Sequence, residues 1–172
     1  MTSRWVEFRP ELALDALTRH QVEFVVIGGY GAALHGSPAL TNDADICALW
    51  EHDNLTRLAA ALRELGALIY SDSVPAGLPF DVSAAFLEGV DMVNLICNAG
   101  RIDVSRRPAG SDGYPTLVQD AVEYDIDGVV VKVASLDAII HSKRTADRPK
   151  DRLTLPILEA LRDEIDAQRS GD

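Results

Sequence analysis

The feature that most constrains this chain is the stretch from Phe24 to Leu49, in which two aspartates follow a buried strand and a glycine pair. Phe24 to Ile27 form a continuous apolar run, and residues 43–48 predict a second strand. Successive side chains of a strand point to opposite faces, so Asp43 and Asp45 share one face. Two like charges there are costly unless a cation lies between them. Because Mg²⁺ and Mn²⁺ prefer carboxylate oxygens, the pair predicts a divalent-metal site.

A glycine pair, Gly28-Gly29, follows the first strand directly and precedes a short helix predicted over residues 30–35. Glycine lets the backbone approach a ligand closely, and the free N–H groups at a helix start face an anion. Each motif alone is weak, since most glycine pairs are only turns. Together they suggest a nucleoside triphosphate that is held with its metal.

The overall composition restricts the class of protein. The chain has 172 residues, of which 47% are hydrophobic and 25% charged, as in ordinary globular domains. No apolar run is long enough to span a membrane, and the N-terminus is charged where a signal peptide is apolar, so the cytoplasm is the expected compartment. Cys47 and Cys97 lie in predicted buried strands, which favours core thiols over a disulfide or a zinc site. The net charge of −11 argues against a broad nucleic-acid-binding surface but allows a local basic patch.

Predicted helices and strands alternate along the chain. Helices are predicted over residues 10–20, 54–65 with Asn54 as the cap, 114–122, 136–144 with Ser135 as the cap, and 156–168, and Pro149 is predicted to begin another helix. Strands are predicted over residues 68–70, 92–97, 101–105 and 128–133, whereas residues 71–79 are predicted as a loop.

Two further charged residues, Asp103 and Lys143, occupy positions that bear on function. Asp103 points to the same face of its strand as Arg101 and Ser105, and by itself it is typical of a solvent-facing strand residue. Lys143 ends the apolar stripe that begins at Leu136, so it points towards the body of the protein. Its ammonium group either snorkels, favours the helix C-terminus or reaches a phosphate.

The order of these motifs resembles the nucleotidyltransferase superfamily, whose members share a palm like that of DNA polymerase β. The resemblance covers residues 24–161, and it is greatest to toxins of type IV toxin–antitoxin pairs and of abortive-infection systems. The segments that carry it are Gly28-Gly29, His35-Gly36-Ser37-Pro38, Thr41-Asn42-Asp43-Ala44-Asp45-Ile46, Gly100-Arg101-Ile102-Asp103-Val104, Ser135-Leu136-Asp137 with Lys143, and Arg148-Pro149-Lys150-Asp151.

This resemblance implies an α/β (α+β) nucleotidyltransferase fold, a mixed central β-sheet flanked by helices. Residues 1–134 would form the palm-like core, and the helices of residues 135–172 would pack on it as part of a single compact domain. It also implies Asp43 and Asp45 as ligands of the metal, Mg²⁺ or Mn²⁺, that holds the triphosphate. Asp103 would be the third acid, which joins them at a second metal and helps to activate the acceptor hydroxyl.

The nucleotide contacts implied by the resemblance involve a second group of residues. Gly28 and Gly29 would let backbone amides approach the phosphates of the donor nucleoside triphosphate. Lys143 would neutralise developing charge and would complete the catalytic set with the three aspartates. Asp151 would either orient Lys143 or contact the nucleotide.

The acceptor is left open by the sequence. The first interpretation is a toxin that modifies tRNA, with a cognate antitoxin as partner and with basic residues guiding the RNA backbone. These basic residues are Arg106, Arg107, Arg144, Lys150 and Arg152. The alternatives are an enzyme that modifies a small molecule of antibiotic type or a protein hydroxyl, and a catalytically silent module that binds a nucleotide or a partner. Ala39 and Leu40 stand where many relatives have an arginine, which favours the silent module. The role of His35 is a separate question: it is either functional or a helix cap.

Overall fold

The computed structural model describes residues 6–171, and its centre is an eight-stranded mixed β-sheet. The strands are β1 (Phe24–Ile27), β2 (Asp43–Ala48), β3 (Leu68–Ser71), β4 (Val74–Leu78), β5 (Met92–Cys97), β6 (Gly100–Ser105), β7 (Val122–Ile126) and β8 (Val129–Val133). The helices are α1 (Pro10–Arg19), α2 (Gly28–Leu34), α3 (His52–Glu64), α4 (Ala84–Glu88), α5 (Tyr114–Leu117), α6 (Leu136–Ala146) and α7 (Pro149–Ser170).

The order of the strands across the sheet is β4-β3-β5-β6-β2-β1-β8-β7. β2 pairs with β6 in parallel, as β1 does with β8, and the other neighbours are antiparallel. The predicted α/β class with a mixed sheet is therefore confirmed. The parallel pairing of β2 with β6 brings together two strands that are more than fifty residues apart in the chain and that both carry aspartates.

Each face of the sheet has its own apolar core, which follows from the alternation of side chains along the strands. One core packs α1 and α3 against residues such as Ile46. The other packs α6 and α7 against Val25 and Cys47. Cys47 and Cys97 are buried free thiols, as the sequence predicts, and burial raises the pKa of Cys47 to about 12. None of the helices described for residues 6–171 has both the length and the hydrophobicity that a membrane span requires.

Two strands were not predicted by the sequence. Residues 71–79 do not form a loop, because β4 pairs with β3 in a hairpin. Pro75 is tolerated there since β4 is an edge strand, where the missing N–H faces away from the sheet. The helix predicted over residues 114–122 is α5 followed by a 3₁₀ turn over Val118–Asp120, and β7 begins at Val122 and pairs with β8.

Three helices also differ from the prediction in their bounds. α2 begins at Gly28, so the glycine pair is its first turn and not a separate turn before it. Asn54 lies in the first turn of α3, where its buried amide accepts from the Glu23 N–H (2.8 Å) and donates to the Leu49 carbonyl (2.8 Å). α7 begins at Pro149, as predicted, but it continues unbroken through residue 156, where the sequence predicted a separate helix. Pro156 is exposed, so water can satisfy the carbonyl that loses its partner.

Candidate active site

Three carboxylates meet on one face at the centre of the sheet. In the parallel register Asp45 lies opposite Asp103 and Asp43 lies opposite Arg101. One carboxylate oxygen from each of Asp43, Asp45 and Asp103 lies within 4.8 Å of the other two. The alternation of strand residues predicted which face each aspartate occupies. The pairing of β2 with β6 is what turns two separate motifs into one cluster.

Gly28 makes room for one of these carboxylates. It directly follows Ile27, which pairs with Asp45 across β1 and β2. A Cβ atom at Gly28 would lie 2.3 Å from Asp45 Oδ2, and its φ of +65° is one that other residues rarely adopt. The sequence explained this glycine by the approach of a phosphate, and the structure adds a packing reason for it. Gly29 instead faces Thr41, whose hydroxyl donates to Asp43 Oδ1 (3.2 Å).

The aspartates repel one another in the absence of a cation. Burial raises the pKa of Asp45 to about 7, and the charges of Asp43 and Asp103 add to that shift against Lys150 and Arg148. Burial also raises the pKa of Asp103, and the positive charge of Arg101 partly offsets this rise. Asp103 Oδ1 is buried and has no hydrogen-bond partner among the described residues. A divalent cation would relieve both the repulsion and the unpaired oxygen, so the three residues fit Mg²⁺ or Mn²⁺.

We expect the metal-free protein to lose free energy of unfolding as pH rises from about 3.8 to about 7. In this interval folded Asp45 still holds a proton that the unfolded chain has released, so the folded state is favoured at the lower pH. Urea titrations across this interval measure the effect. Asp45→Asn should flatten the slope and should also remove the thermal stabilisation that saturating Mg²⁺ gives the parent. A slope unchanged by Asp45→Asn would contradict the assignment.

Positive side chains form the opposite wall of the site. Lys143 is only 13% exposed, and its Nζ lies 3.5 Å from Asp151 Oδ1. Asp151 is fully buried and also accepts hydrogen bonds from the Arg148 backbone N–H (3.1 Å) and Nε (2.7 Å). Burial opposes ionisation of Asp151, but the Arg148 hydrogen bonds outweigh it and lower its pKa. Asp151 therefore contacts two of the positive groups, the Lys143 ammonium and the Arg148 guanidinium.

A cavity of about 300 Å³ lies between these two walls. Arg107, Arg148 and Lys150 line it together with Lys143, and the sequence had not placed the first three near the aspartates. Their positions depend on how the segment after β6 and the start of α7 fold back over the sheet, which no local pattern reports. Apolar residues that also line it include Ile27, Leu117, Ala134, Ala138 and Ile139.

His35 lies outside this cavity and has a structural environment. Its Nε2 is 2.8 Å from the Ala134 carbonyl, which can only accept, so Nε2 carries the proton. The Tyr124 hydroxyl then donates to Nδ1 (2.9 Å). The ring therefore joins the end of α2 to β7 and to the residue that follows β8. Of the two roles that the sequence left open, His35 fills the cap position at the end of α2, but its ring bonds to Ala134 and Tyr124 and not to the carbonyls of that helix.

Replacing His35 by alanine should destabilise the protein without a matching loss of activity. The change leaves the Tyr124 hydroxyl and the Ala134 carbonyl without this partner, which costs about 1–3 kcal/mol of unfolding free energy. His35→Gln keeps a donor and an acceptor and should lose less. Urea titrations and transfer rates measured well below the melting temperature separate the two effects. A loss of transfer in fully folded His35→Ala would show that the ring acts in the reaction.

The basic residues assigned to RNA do not all face one way. Arg106 lies 3.6 Å from Asp91, Arg144 pairs with Glu159, and Arg152 pairs with Asp147. Arg107 and Lys150 line the cavity instead. The five predicted residues are therefore divided between surface ion pairs and the walls of the carboxylate site.

The sequence matches one family model over residues 11–157, which include all three aspartates and Lys143. That family is described as aminoglycoside-2''-adenylyltransferase. A search of curated proteins finds no match.

Solved structures of the same fold include two enzymes that modify antibiotics. The lincosamide antibiotic adenylyltransferase LnuA, solved with lincomycin bound, superimposes with a TM-score of 0.59 at 13% identity, over 90% of this chain and 99% of that one. ANT(2'')-Ia in complex with adenylyl-2''-tobramycin superimposes with a TM-score of 0.55 at 15% identity, over 93% of this chain and 96% of that one. A candidate nucleotidyltransferase of Thermotoga maritima superimposes with a TM-score of 0.52 at 17% identity, over 90% of this chain and 96% of that one. At these identities the structures establish the nucleotidyltransferase fold.

Proposed function

The chain belongs to the aminoglycoside-2''-adenylyltransferase family and is a nucleotidyltransferase, and we propose that it transfers AMP from ATP to a hydroxyl group of a small molecule of antibiotic type. One observation carries the proposal. Asp45 and Asp103 lie opposite each other on adjacent strands, beside Asp43, in a cavity whose other wall bears Lys143. This arrangement offers ligands for a metal and a cation for a triphosphate within one small space.

The donor triphosphate lies, in this proposal, between the two walls of the cavity. Lys143, Arg148 and Lys150 offset its negative charge, which the three aspartates would otherwise repel. Asp151 is a positioning residue, because it is buried against Lys143 and Arg148 and fixes where their charges lie. Gly28 lines the cavity and leaves space for the Asp45 carboxylate, which a side chain at this position would displace. Contacts of Gly29 and Asp151 with the nucleotide remain predictions from the sequence.

Asp43, Asp45 and Asp103 would hold the divalent metal. When bound there, it supplies Lewis-acid stabilisation of the charge that builds up on the phosphate oxygens. The acceptor hydroxyl lies next to Asp103, whose carboxylate takes its proton. The acceptor oxygen forms a bond to the α-phosphorus, the bond to the β-phosphate oxygen breaks, and pyrophosphate leaves. Lys143 stabilises the charge of the leaving pyrophosphate.

The choice of acceptor rests on the family. Its description names an aminoglycoside, and two structures of the same fold belong to enzymes that adenylylate antibiotics. Transfer RNA, an antitoxin and toxin activity, which the sequence favoured, have no such support. The divided positions of the basic residues give no continuous track for an RNA backbone. A small molecule is therefore the better-supported acceptor, and a protein hydroxyl is the next alternative.

The test is a transfer assay with Mg²⁺ and each of the four α-³²P-labelled nucleoside triphosphates. Lincomycin, tobramycin and total tRNA are offered separately as acceptors. We expect label from ATP on a small molecule, and none with the Asp43→Ala variant. Label on tRNA would restore the toxin hypothesis, and label on the protein itself would favour protein modification. Metal-dependent binding of ATP without transfer to any acceptor would favour the silent module.

A further inference from the structure

The sheet face that carries the aspartates continues beyond the cavity, and no helix within residues 6–171 covers it there. The evidence is the burial pattern of β5, whose residues 93, 95 and 97 are buried in the core of the opposite face. On the aspartate face Met92 is 54% exposed, Asn94 is exposed and Ile96 is half-buried. A central strand with one side this open offers a surface for another molecule.

This surface begins next to the predicted catalytic acid. In the antiparallel register Asn94 lies opposite Asp103, which lies opposite Asp45 on the next strand. Residues directly opposite each other point to the same face, so the Asn94 amide lies beside the carboxylates. Met92 lies opposite Ser105, and both line the cavity. The cavity and the open surface are therefore continuous.

An arginine and a tyrosine form the far part of this surface. The guanidinium carbon of Arg101 lies 3.8 Å from the centre of the Tyr70 ring on β3. Arg101 Nη2 lies 3.9 Å from Asp103 Oδ2, and its buried Nε has no hydrogen-bond partner among the described residues. The stacked pair gives a flat wall with hydrogen-bond donors at its edge.

The charges of this surface restrict what it can bind. Apart from the three metal-site aspartates, every charged residue that lines the cavity is positive, and Arg101 adds one more positive charge. Asp72 and Asp91, which flank the surface in sequence, already have partners in Tyr70 and Arg106. Once the metal occupies the three aspartates, the other charged residues that line the cavity are all positive and would repel a polycation. Apolar groups and hydroxyls would find Met92, Ile96 and the Asn94 amide.

We propose that Tyr70, Met92, Asn94, Ile96 and Arg101, the acceptor face, bind the acceptor of the transfer reaction. The acceptor is a hydroxyl-bearing molecule with an apolar part and at most one positive charge. This inference rests on the proposed function, because only a transferase places an acceptor hydroxyl beside Asp103. The apolar part lies on Met92 and Ile96, and Asn94 hydrogen-bonds a hydroxyl next to the reacting one.

Binding can be tested without transfer, because the chain has only two methionines, Met1 and Met92. Protein labelled with ¹³C at the methionine methyl groups gives two signals, and Met92→Leu identifies that of Met92. We expect lincomycin, which carries one amine, to shift the Met92 signal in the presence of Mg²⁺ and a non-hydrolysable ATP analogue. Tobramycin, which carries several amines, should need at least about tenfold higher concentration. No shift with either compound, or a preference for tobramycin, would overturn the inference.

Kinetics give the second test. Asn94→Ala should raise the KM for lincomycin by about tenfold and leave the Kd for ATP unchanged, because the amide contacts only the acceptor. Asn98→Ala is the matched control, since Asn98 is exposed in the β5–β6 turn of the same hairpin. Transfer to lincomycin with no Met92 shift and an unchanged KM would overturn the acceptor face and leave the proposed function intact. A Met92 shift without transfer would overturn the proposed function and leave these residues as a ligand-binding surface only.

Discussion

Asp43→Ala is expected to lower kcat/KM for nucleotide transfer by about a thousandfold or more while the protein stays folded. The change removes one of three carboxylates that each place an oxygen within 4.8 Å of the others, so the two that remain hold the metal poorly. It also removes one of the charges that disfavour ionisation of Asp45, so the metal-free fold should not lose stability. Single-turnover transfer of α-labelled ATP measures the first effect, and thermal unfolding measures the second.

Asp166→Ala provides the control for this experiment, because Asp166 is an exposed aspartate of α7 outside the cavity lining. Its transfer rate should equal that of the parent. Asp43→Ala with a parental rate would show that the cluster is not the reaction centre. A variant that fails to bind Mg²⁺ and also fails to transfer, with an unchanged melting temperature, is the expected outcome.

Gly28→Ala is expected to be the most damaging single methyl group that can be added to this site. The new Cβ would lie 2.3 Å from Asp45 Oδ2, and the backbone has a φ of +65°. We expect transfer to fall by about a hundredfold or more, since a shift of the carboxylate by about 1 Å has that effect. The free energy of unfolding should fall by about 1–3 kcal/mol from the backbone strain.

Two other glycines separate the causes of this loss. Gly128 has a φ of +88° with nothing within 4 Å of a Cβ, so Gly128→Ala should cost stability without affecting transfer. Gly29→Ala would bring its Cβ to 3.4 Å from Thr41 Oγ1, a far milder contact. If Gly28→Ala and Gly128→Ala lost stability alike and both kept full activity, the contact of Gly28 with Asp45 would have no catalytic importance.

The sequence could predict the parts of the site that depend on local periodicity. The alternation of β2 places Asp43 and Asp45 on one face, and the helical stripe of α6 points Lys143 inwards. The alternation of β6 places Asp103 on the same face as Arg101 and Ser105. Asp103 is 8% exposed, so the prediction of a solvent-facing residue was wrong. Side-chain direction repeats every 2 residues in a strand and every 3.6 residues in a helix. Backbone geometry sets these periods, so they hold wherever the element lies in the fold.

Other parts of the site depend on contacts between distant segments, which no local pattern contains. The meeting of Asp103 with Asp43 and Asp45, which the pairing of β2 with β6 produces, was implied only by the family resemblance. The burial of Asp151 against Lys143 and Arg148 follows from the close packing of α6 on the start of α7. The β4 strand was missed because Pro75 and Gly77 are typical of turns, whereas an edge strand tolerates both.

The acceptor was the hardest feature to predict, and the reason is physical. The residues that hold a metal and a triphosphate do the same chemistry whatever the acceptor is, so their motif identifies the superfamily and no branch of it. The residues that we infer to contact the acceptor, such as Met92 and Asn94, are ordinary strand residues in sequence. Their importance follows from their position opposite Ser105 and Asp103 on an uncovered face.

The central claim is that the three-aspartate site transfers a nucleotide to a small-molecule hydroxyl. The most direct test is the mass of lincomycin and tobramycin recovered after incubation with the protein, ATP and Mg²⁺, in the presence of total tRNA as a competitor. We predict that one of them gains the mass of a single AMP, that EDTA abolishes the gain, and that the tRNA keeps its length. Unmodified antibiotics beside tRNA extended at its 3′ end would contradict the account.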